Sequence, residues 1–233
     1  QRKLSLFCAD PRFGWPRFRR ALAKQFDGVG LTVEVNHGVL TTTSPPADVR
    51  RWIATEHPSV HVLSVGRSID LYKDVGLPVE VAERYRFRNL RGTHVVGHTR
   101  MATESAVTPE NAHPYTAGED WCLVHNGSLA NPGSLKRKLE KLGEQFVSDC
   151  DTEGACRYIH WRLEEGDTLE QALHRSFEDF DGFFTFLMGT HDKLALVRDP
   201  FACKPAVVAE TGDYVAISSE FRSLAHLPDI RNA

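Results

Sequence analysis

Apolar residues recur along the chain at two alternating spacings, one helical and one strand-like. Phe18, Leu22 and Phe26 fall four apart and predict a helix over 16–26, whereas Leu31, Val33 and Val35 alternate with polar positions as a half-buried strand does. His37-Gly38 reads as a turn into a partner strand over 39–43. Ser44-Pro45-Pro46 reads as a helix start, because proline's missing N–H costs nothing in the first turn, and Val49, Trp52 and Ile53 give that helix its apolar face. A strand over 60–65 follows, then a charged helical stretch around 69–85. The β-branched run 93–98 is expected to be a strand leading into a loop.

The second half begins with a polar segment, 103–118, long for a loop in a compact domain and therefore a place to look for function. A strand is expected at 121–124, ending at His125-Asn126-Gly127. Leu135, Leu139 and Leu142 mark one helix, and Ala155, Tyr158, Ile159 and Leu163 mark another beginning near Asp151. Thr168-Leu169-Glu170-Gln171 is a capping box opening a third. Short strand-like runs at 183–188, 194–198, 206–209 and 214–217 close the chain, with a turn at Thr211-Gly212-Asp213. Hairpin-spaced strands with the helices grouped between them argue for antiparallel sheets in an α+β sandwich with helices outside.

Composition narrows the function classes. With 233 residues, 41% hydrophobic and 25% charged, the chain can bury a substantial core, and we read it as one domain, 1–233. A formal charge of −3 offers no basic footprint for nucleic acid or an anionic membrane. No apolar run suggests a membrane span, and Gln1-Arg2-Lys3-Leu4 does not open a signal peptide. The cysteines, Cys8, Cys122, Cys150, Cys156 and Cys203, are odd in number and scattered, which fits reduced thiols in a cytoplasm better than disulfides or zinc. A strand-like run almost at the first residue and a bare ending at Arg231-Asn232-Ala233 read as a piece truncated at both ends.

Polar chemistry concentrates in four blocks: Gly97-His98-Thr99-Arg100-Met101-Ala102-Thr103-Glu104-Ser105, Asn111-Ala112-His113-Pro114, Val124-His125-Asn126-Gly127 and Asp149-Cys150-Asp151-Thr152-Glu153. The planar fork of Arg100 suits two-point binding of a carboxylate. Asn126 and the N–H of Gly127 can aim donors at a developing oxyanion, and Asp151 can accept from an ammonium group. Singly, each has an ordinary explanation: a surface ion pair, a tight turn, a helix cap. Together they describe a site for an α-amino acid whose side-chain carbonyl is attacked.

In that order and spacing the blocks resemble class II glutamine amidotransferases, over about residues 92–221. The stretches Gly66-Arg67-Ser68-Ile69, 72–78, 100–105, 179–186 and 198–205 resemble the amidotransferase subunit of N-methylglutamate synthase and related glutamate-synthase-like systems. The resemblance implies a four-layer αββα sandwich of antiparallel sheets of the N-terminal-nucleophile hydrolase type, here lacking its N-terminal strand. It implies that Arg100 holds the α-carboxylate of glutamine with Thr103 beside it, that Asp151 takes the α-ammonium, that Asn126 and Gly127 form the oxyanion hole, and that His113 supports the loop. It further implies ammonia delivery to a synthase partner in a hetero-oligomer, with flavin and iron–sulfur groups only in that partner and neither cofactor nor metal in this chain. Met101 and Glu104 depart from the tryptophan and histidine of glucosamine-6-phosphate synthase.

The family's nucleophile is an N-terminal cysteine whose own α-amino group serves as the base. Gln1 cannot fill that role, and the five internal cysteines lack a free α-amino group, so they read as small buried hydrophobes. Three alternatives stand beside this reading: a phosphoribosylpyrophosphate amidotransferase or asparagine synthetase domain, whose synthase part nothing here resembles; a catalytically inactive glutamine-binding regulatory or structural subunit; and a metal hydrolase built on His94, His98, His113 and His125.

Overall fold

The computed structural model describes residues 1–100, 108–109 and 111–233. Its first half is a sheet of four antiparallel strands, β1 (Arg2–Cys8), β2 (Gly30–Glu34), β3 (His37–Thr42) and β4 (Val60–Gly66), in the order β2-β3-β1-β4. Alternation on β1 sends Leu4, Leu6 and Cys8 to one face. There they meet Phe18 and Leu22 of α1 (Trp15–Gln25) and Val49 and Ile53 of α2 (Pro46–Glu56), forming a buried core. Both helices begin with proline in the first turn, as the sequence indicates.

The second half is a three-stranded sheet, β5 (Trp121–Leu129), β6 (Gly182–Thr190) and β7 (Leu194–Arg198), with β5 at one edge. Three helices cover it: α4 (Pro132–Lys141), α5 (Asp151–Glu164) and α6 (Leu169–Asp179). Leu135, Leu139, Ala155, Tyr158, Ile159, Ala172 and Leu173 pack against Leu123, Leu129, Phe184 and Phe186 in a second core. The capping box is present, with the Thr168 hydroxyl accepting from Gln171 N–H and the Gln171 side chain accepting from Thr168 N–H. A two-stranded ribbon, β8 (Val207–Glu210) and β9 (Val215–Ser218), follows. The halves are tied where the Thr116 hydroxyl donates to Leu63 C=O, Asp120 N–H donates to Val65 C=O, and the Asp120 carboxylate gathers the N–H groups of Arg67 and Ser68. This is the expected α+β arrangement of antiparallel sheets with helices outside. No helix among the described residues is long and apolar enough to cross a membrane.

Four expectations are corrected. The stretch 69–85 is helical only at α3 (Pro78–Arg84), because upstream of it the N–H groups of Leu71 and Lys73 bond to the Ser5 hydroxyl and to His37 Nε2. His37-Gly38 is not the turn: His37 already pairs with Glu34, and the reversal falls at Val35-Asn36. Residues 93–98 form no strand; the segment is held instead by side chains, His94 Nε2 to Thr190 C=O and His98 Nε2 to His125 C=O. β5 does not stop at His125-Asn126-Gly127, because β6 continues to pair with it through Leu129 and Gly182. The cysteines also divide: Cys8, Cys122 and Cys156 are buried, but Cys150 is only partly so and Cys203 is exposed.

Candidate functional site

The site is organised by the outer edge of β5. On an antiparallel strand, alternate residues turn their backbone groups toward opposite neighbours. Phe184, opposite Gly127, gives its N–H to the Asp199 carboxylate and its C=O to the Asp199 N–H, so Gly127 and Phe184 form a non-hydrogen-bonded pair. The N–H of Gly127 is therefore turned away from β6, to the open edge. Its neighbours on that edge confirm the direction. Leu123 exchanges both backbone bonds with Tyr115, His125 C=O accepts from His98 Nε2, and Leu129 N–H donates to Asp151 Oδ2 at 3.0 Å. Gly127 thus presents its N–H between the bonded groups of His125 and Leu129, next to the carboxylate of Asp151.

Only glycine fits there. A Cβ on residue 127 would lie 2.2 Å from Phe183 O, 2.5 Å from His125 Nε2 and 2.8 Å from Phe184 Cα. Asn126, one residue earlier, points to the other face of the sheet; it is half-buried, and its side-chain amide makes no hydrogen bond to the described residues. Asp151 is the first residue of α5, where a negative charge also favours the positive end of the helix dipole. Burial pushes its carboxyl upward, but His125 beside it, Leu129 N–H and the Thr152 hydroxyl outweigh that and hold it below the usual carboxylate range. The carboxylate is ionised at neutral pH.

His113 also reaches this cluster. Its Nε2 lies 2.8 Å from Thr152 Oγ1, its ring centroid is 4.1 Å from that of His98 with the two planes tilted, and Tyr115 meets it edge-on. Burial, reinforced by His98, His125 and Lys73 nearby, pushes the His113 pKa far down, and burial likewise lowers that of His98. Both rings are neutral. Arg100 Nη1 donates to Asn111 C=O, which ties its guanidinium to the segment carrying His113. Thr103 lies outside the described residues, as do Met101 and Glu104.

Three residues given no role in glutamine binding by the sequence complete the surroundings. His125 Nδ1 lies 3.0 Å from Thr152 Oγ1 and 3.7 Å from Asp151 Oδ1. Thr152, itself buried, sits between them. Buried Glu153 accepts from Val147 N–H, Ser148 N–H and the Ser148 hydroxyl and pairs with Arg157, fixing the turn that delivers Asp151. The Asp-Thr-Glu order was the available signal: successive positions at a helix start face different ways, so one triplet can serve ligand, sheet edge and preceding loop.

His94 and His98 face backbone carbonyls and His113 and His125 meet at the Thr152 hydroxyl, so the histidines of the metal alternative do not gather their ring nitrogens as a ligand set. Among the described residues, the metal-type side chains that come together are Glu144, His160 and Glu164, away from this edge. Ion pairs account for them, His160 with Glu164 at 3.5 Å and Glu144 with Arg157 at 3.7 Å. A groove of about 600 Å³ between α1 and β2, lined by Trp15, Arg19, Leu31 and Val33, uses none of the polar groups above.

A family model described as a glutamine amidotransferase domain matches residues 98–226, the span that holds Arg100, His113, the edge of β5 and Asp151. The chain belongs to the class II glutamine amidotransferases. It is 45% identical over 232 residues to the glutamine amidotransferase-like protein GlxB of Rhizobium meliloti, covering 99% of this chain and 77% of that protein. It is 37% identical over 172 residues to a putative glutamine amidotransferase of Methanothermobacter thermautotrophicus, covering 73% of this chain and 56% of that protein. An amidophosphoribosyltransferase of Methanocaldococcus jannaschii is 30% identical over 167 residues, and there the match covers 36% of the relative. The chain thus spans between about a third and three quarters of these relatives. In fold, it is similar to the glutamine phosphoribosylpyrophosphate amidotransferase of B. subtilis, with a TM-score of 0.56 at 19% identity over 96% of this chain and 43% of that one.

Proposed function

We propose that residues 1–233 form one glutaminase domain that binds glutamine at the open edge of β5, hydrolyses its side-chain amide to yield glutamate, and passes the ammonia to a synthase partner. The observation that carries this reading is the N–H of Gly127, facing outward beside an ionised Asp151. An amide carbonyl set against Gly127 and the unengaged amide of Asn126 would have donors where negative charge develops during attack. Asp151 would hold the α-ammonium and Arg100 the α-carboxylate, with Thr103 beside Arg100 and His113 bracing the segment between them.

The attacking group in this family's chemistry is a cysteine thiol with a free α-amino group, and none of Cys8, Cys122, Cys150, Cys156 and Cys203 meets that requirement. Burial pushes the Cys122 thiol up to about 11 and that of Cys156 further, which makes both poor nucleophiles. The nucleophile is then a cysteine outside this sequence. Because ammonia is protonated and lost in water, a glutaminase domain requires an acceptor protein. A glutamate-synthase-like or N-methylglutamate-synthase-like subunit in a cytoplasmic hetero-oligomer fits the resemblance of 72–78 and 198–205, with flavin and iron–sulfur groups carried there.

Calorimetric titration tests the site. Arg100→Ala and Asp151→Ala each remove a charge-assisted contact and are expected to weaken glutamine binding at least about tenfold. Unchanged affinity in both variants would end the assignment. The chain alone is expected to bind glutamine without hydrolysing it, and extending it upstream to a processed N-terminal cysteine is expected to restore hydrolysis. An extended protein that binds glutamine but remains inactive would favour the regulatory alternative.

A further inference from the structure

Thr152 Oγ1 is the meeting point of three groups: Asp151 Oδ1 at 3.2 Å, His113 Nε2 at 2.8 Å and His125 Nδ1 at 3.0 Å. A hydroxyl has one proton to give and two lone pairs to accept with. An ionised carboxylate can only accept, so the Thr152 proton goes to Asp151, and both lone pairs remain for the histidines. His113 must then carry its proton on Nε2 and His125 on Nδ1. The remaining nitrogens agree: His113 Nδ1 and His125 Nε2 are buried and have no hydrogen-bond partner among the described residues, as suits lone pairs better than N–H groups. His98 is fixed independently, because its Nε2 faces the carbonyl of His125 and must donate to it.

We propose that the Thr152 hydroxyl is a positioning group for ligand binding, orienting the Asp151 carboxylate while accepting from Nε2–H of His113 and from Nδ1–H of His125. The inference rests on the reading of Asp151 as the ammonium acceptor. Asp151 Oδ2 is held by Leu129 N–H and Oδ1 by the Thr152 hydroxyl and the Cys150 thiol, so the carboxylate is fixed at both oxygens, yet Oδ2 retains a lone pair for a ligand. His125 ties the arrangement to the oxyanion side, since its Nε2 lies 2.5 Å from where a Cβ of residue 127 would stand. The hydroxyl therefore couples the carboxylate that would take the ammonium to the stretch of β5 that would take the carbonyl.

Thr152→Val keeps the shape and deletes the hydroxyl, whereas Thr152→Ser keeps the hydroxyl. Glutamine titrated into the full chain should bind Thr152→Val at least about tenfold more weakly than wild type, and Thr152→Ser within about threefold. Ring ¹⁵N spectra near neutral pH should show Nε2–H for His98 and His113 and Nδ1–H for His125. In Thr152→Val the His125 signal should move toward the other tautomer while His98 stays. Wild-type affinity in Thr152→Val, or no recovery in a folded Thr152→Ser, overturns the inference while the glutamine site stands. A wild-type His125 protonated on Nε2 overturns it even if Thr152→Val does not fold. A wild-type chain that binds no glutamine overturns the site reading, and the inference with it.

Discussion

Replacing Gly127 with alanine adds a single methyl group at the most crowded point of the site. All three of its nearest contacts would fall inside 3.0 Å, and two of them, Phe183 O and Phe184 Cα, are backbone of β6, which is paired on both sides by β5 and β7. Backbone in mid-sheet cannot rotate aside as a side chain can. Relief requires β5 to move away from β6 around Gly127. Overpacking of this kind costs about 1–3 kcal/mol, and the φ of +155° at Gly127, outside the range that L residues favour, adds roughly 1 kcal/mol. At about 2–4 °C per kcal/mol for a domain of this size, the expected fall in Tm is roughly 5–15 °C. Movement of β5 would also displace the Gly127 N–H and loosen the Leu129 bond to Asp151, so glutamine affinity should drop with stability.

Thermal unfolding and glutamine titration on the same samples measure both effects. Gly212→Ala is the matched control, since a Cβ there meets nothing within 4 Å, and its Tm should stay near wild type. The reasoning fails if Gly127→Ala melts within about 2 °C of wild type, because the contacts would then be absorbed without moving β6. It also fails if the two glycine variants lose the same amount.

Three further outcomes are expected. Thr168→Ala removes the capping hydroxyl of α6 and should cost about 1 kcal/mol in urea unfolding, with Thr168→Ser recovering most of it. Asp199→Ala leaves the N–H groups of Phe184 and Phe201 without their acceptor, while Ala202 N–H keeps the Asp199 C=O, and should cost about 2–4 kcal/mol; a loss below about 1 kcal/mol would mean that the Asp199 corner is not what turns Phe184 toward β7. Burial lowers the His37 pKa from 6.5 to about 4 against the pull of Asp74, so between those values the unfolded chain binds a proton that the folded chain does not. Stability should therefore fall as pH drops from about 6.5 toward 4, with His98 and His113 acting in the same direction, and His37→Asn should flatten the slope of unfolding free energy against pH in that window.

How much of this was legible in the sequence depends on how local the cause was. Helices α1, α2 and α4–α6 could be read from four-residue spacing, proline starts and one capping box, because each is decided within a dozen residues. The strand errors came from partners far along the chain. Asn126-Gly127 has the composition of a hairpin turn, yet β6, more than fifty residues later, holds it in a ladder. Residues 93–98 have the composition of a strand, yet His94 and His98 anchor that segment through their rings. The site was legible as a set of residue types and not as a geometry: the blocks named Asn126, Gly127, His113 and Asp151, but nothing in them indicated which edge of β5 they share.

That edge follows from a residue with no place in the site. Asp199, buried at the end of β7, takes both the N–H and the C=O of Phe184, and this sets the phase of the whole β5–β6 ladder. With even-numbered residues of β6 committed toward β7, odd-numbered residues of β5 must direct their backbone groups outward, Leu123 to Tyr115, His125 to His98, and Leu129 to Asp151. Slide the register by one residue and Asn126 would offer the backbone N–H at the edge, while Gly127 would be pressed into the ladder. The glycine must therefore sit at an odd position for two reasons at once, to clear Phe183 on one side and to present an unencumbered N–H on the other. A strand edge that elsewhere invites pairing is closed at each end by a side chain or a neighbouring segment, and the gap left between those closures is where a carbonyl oxygen would be received.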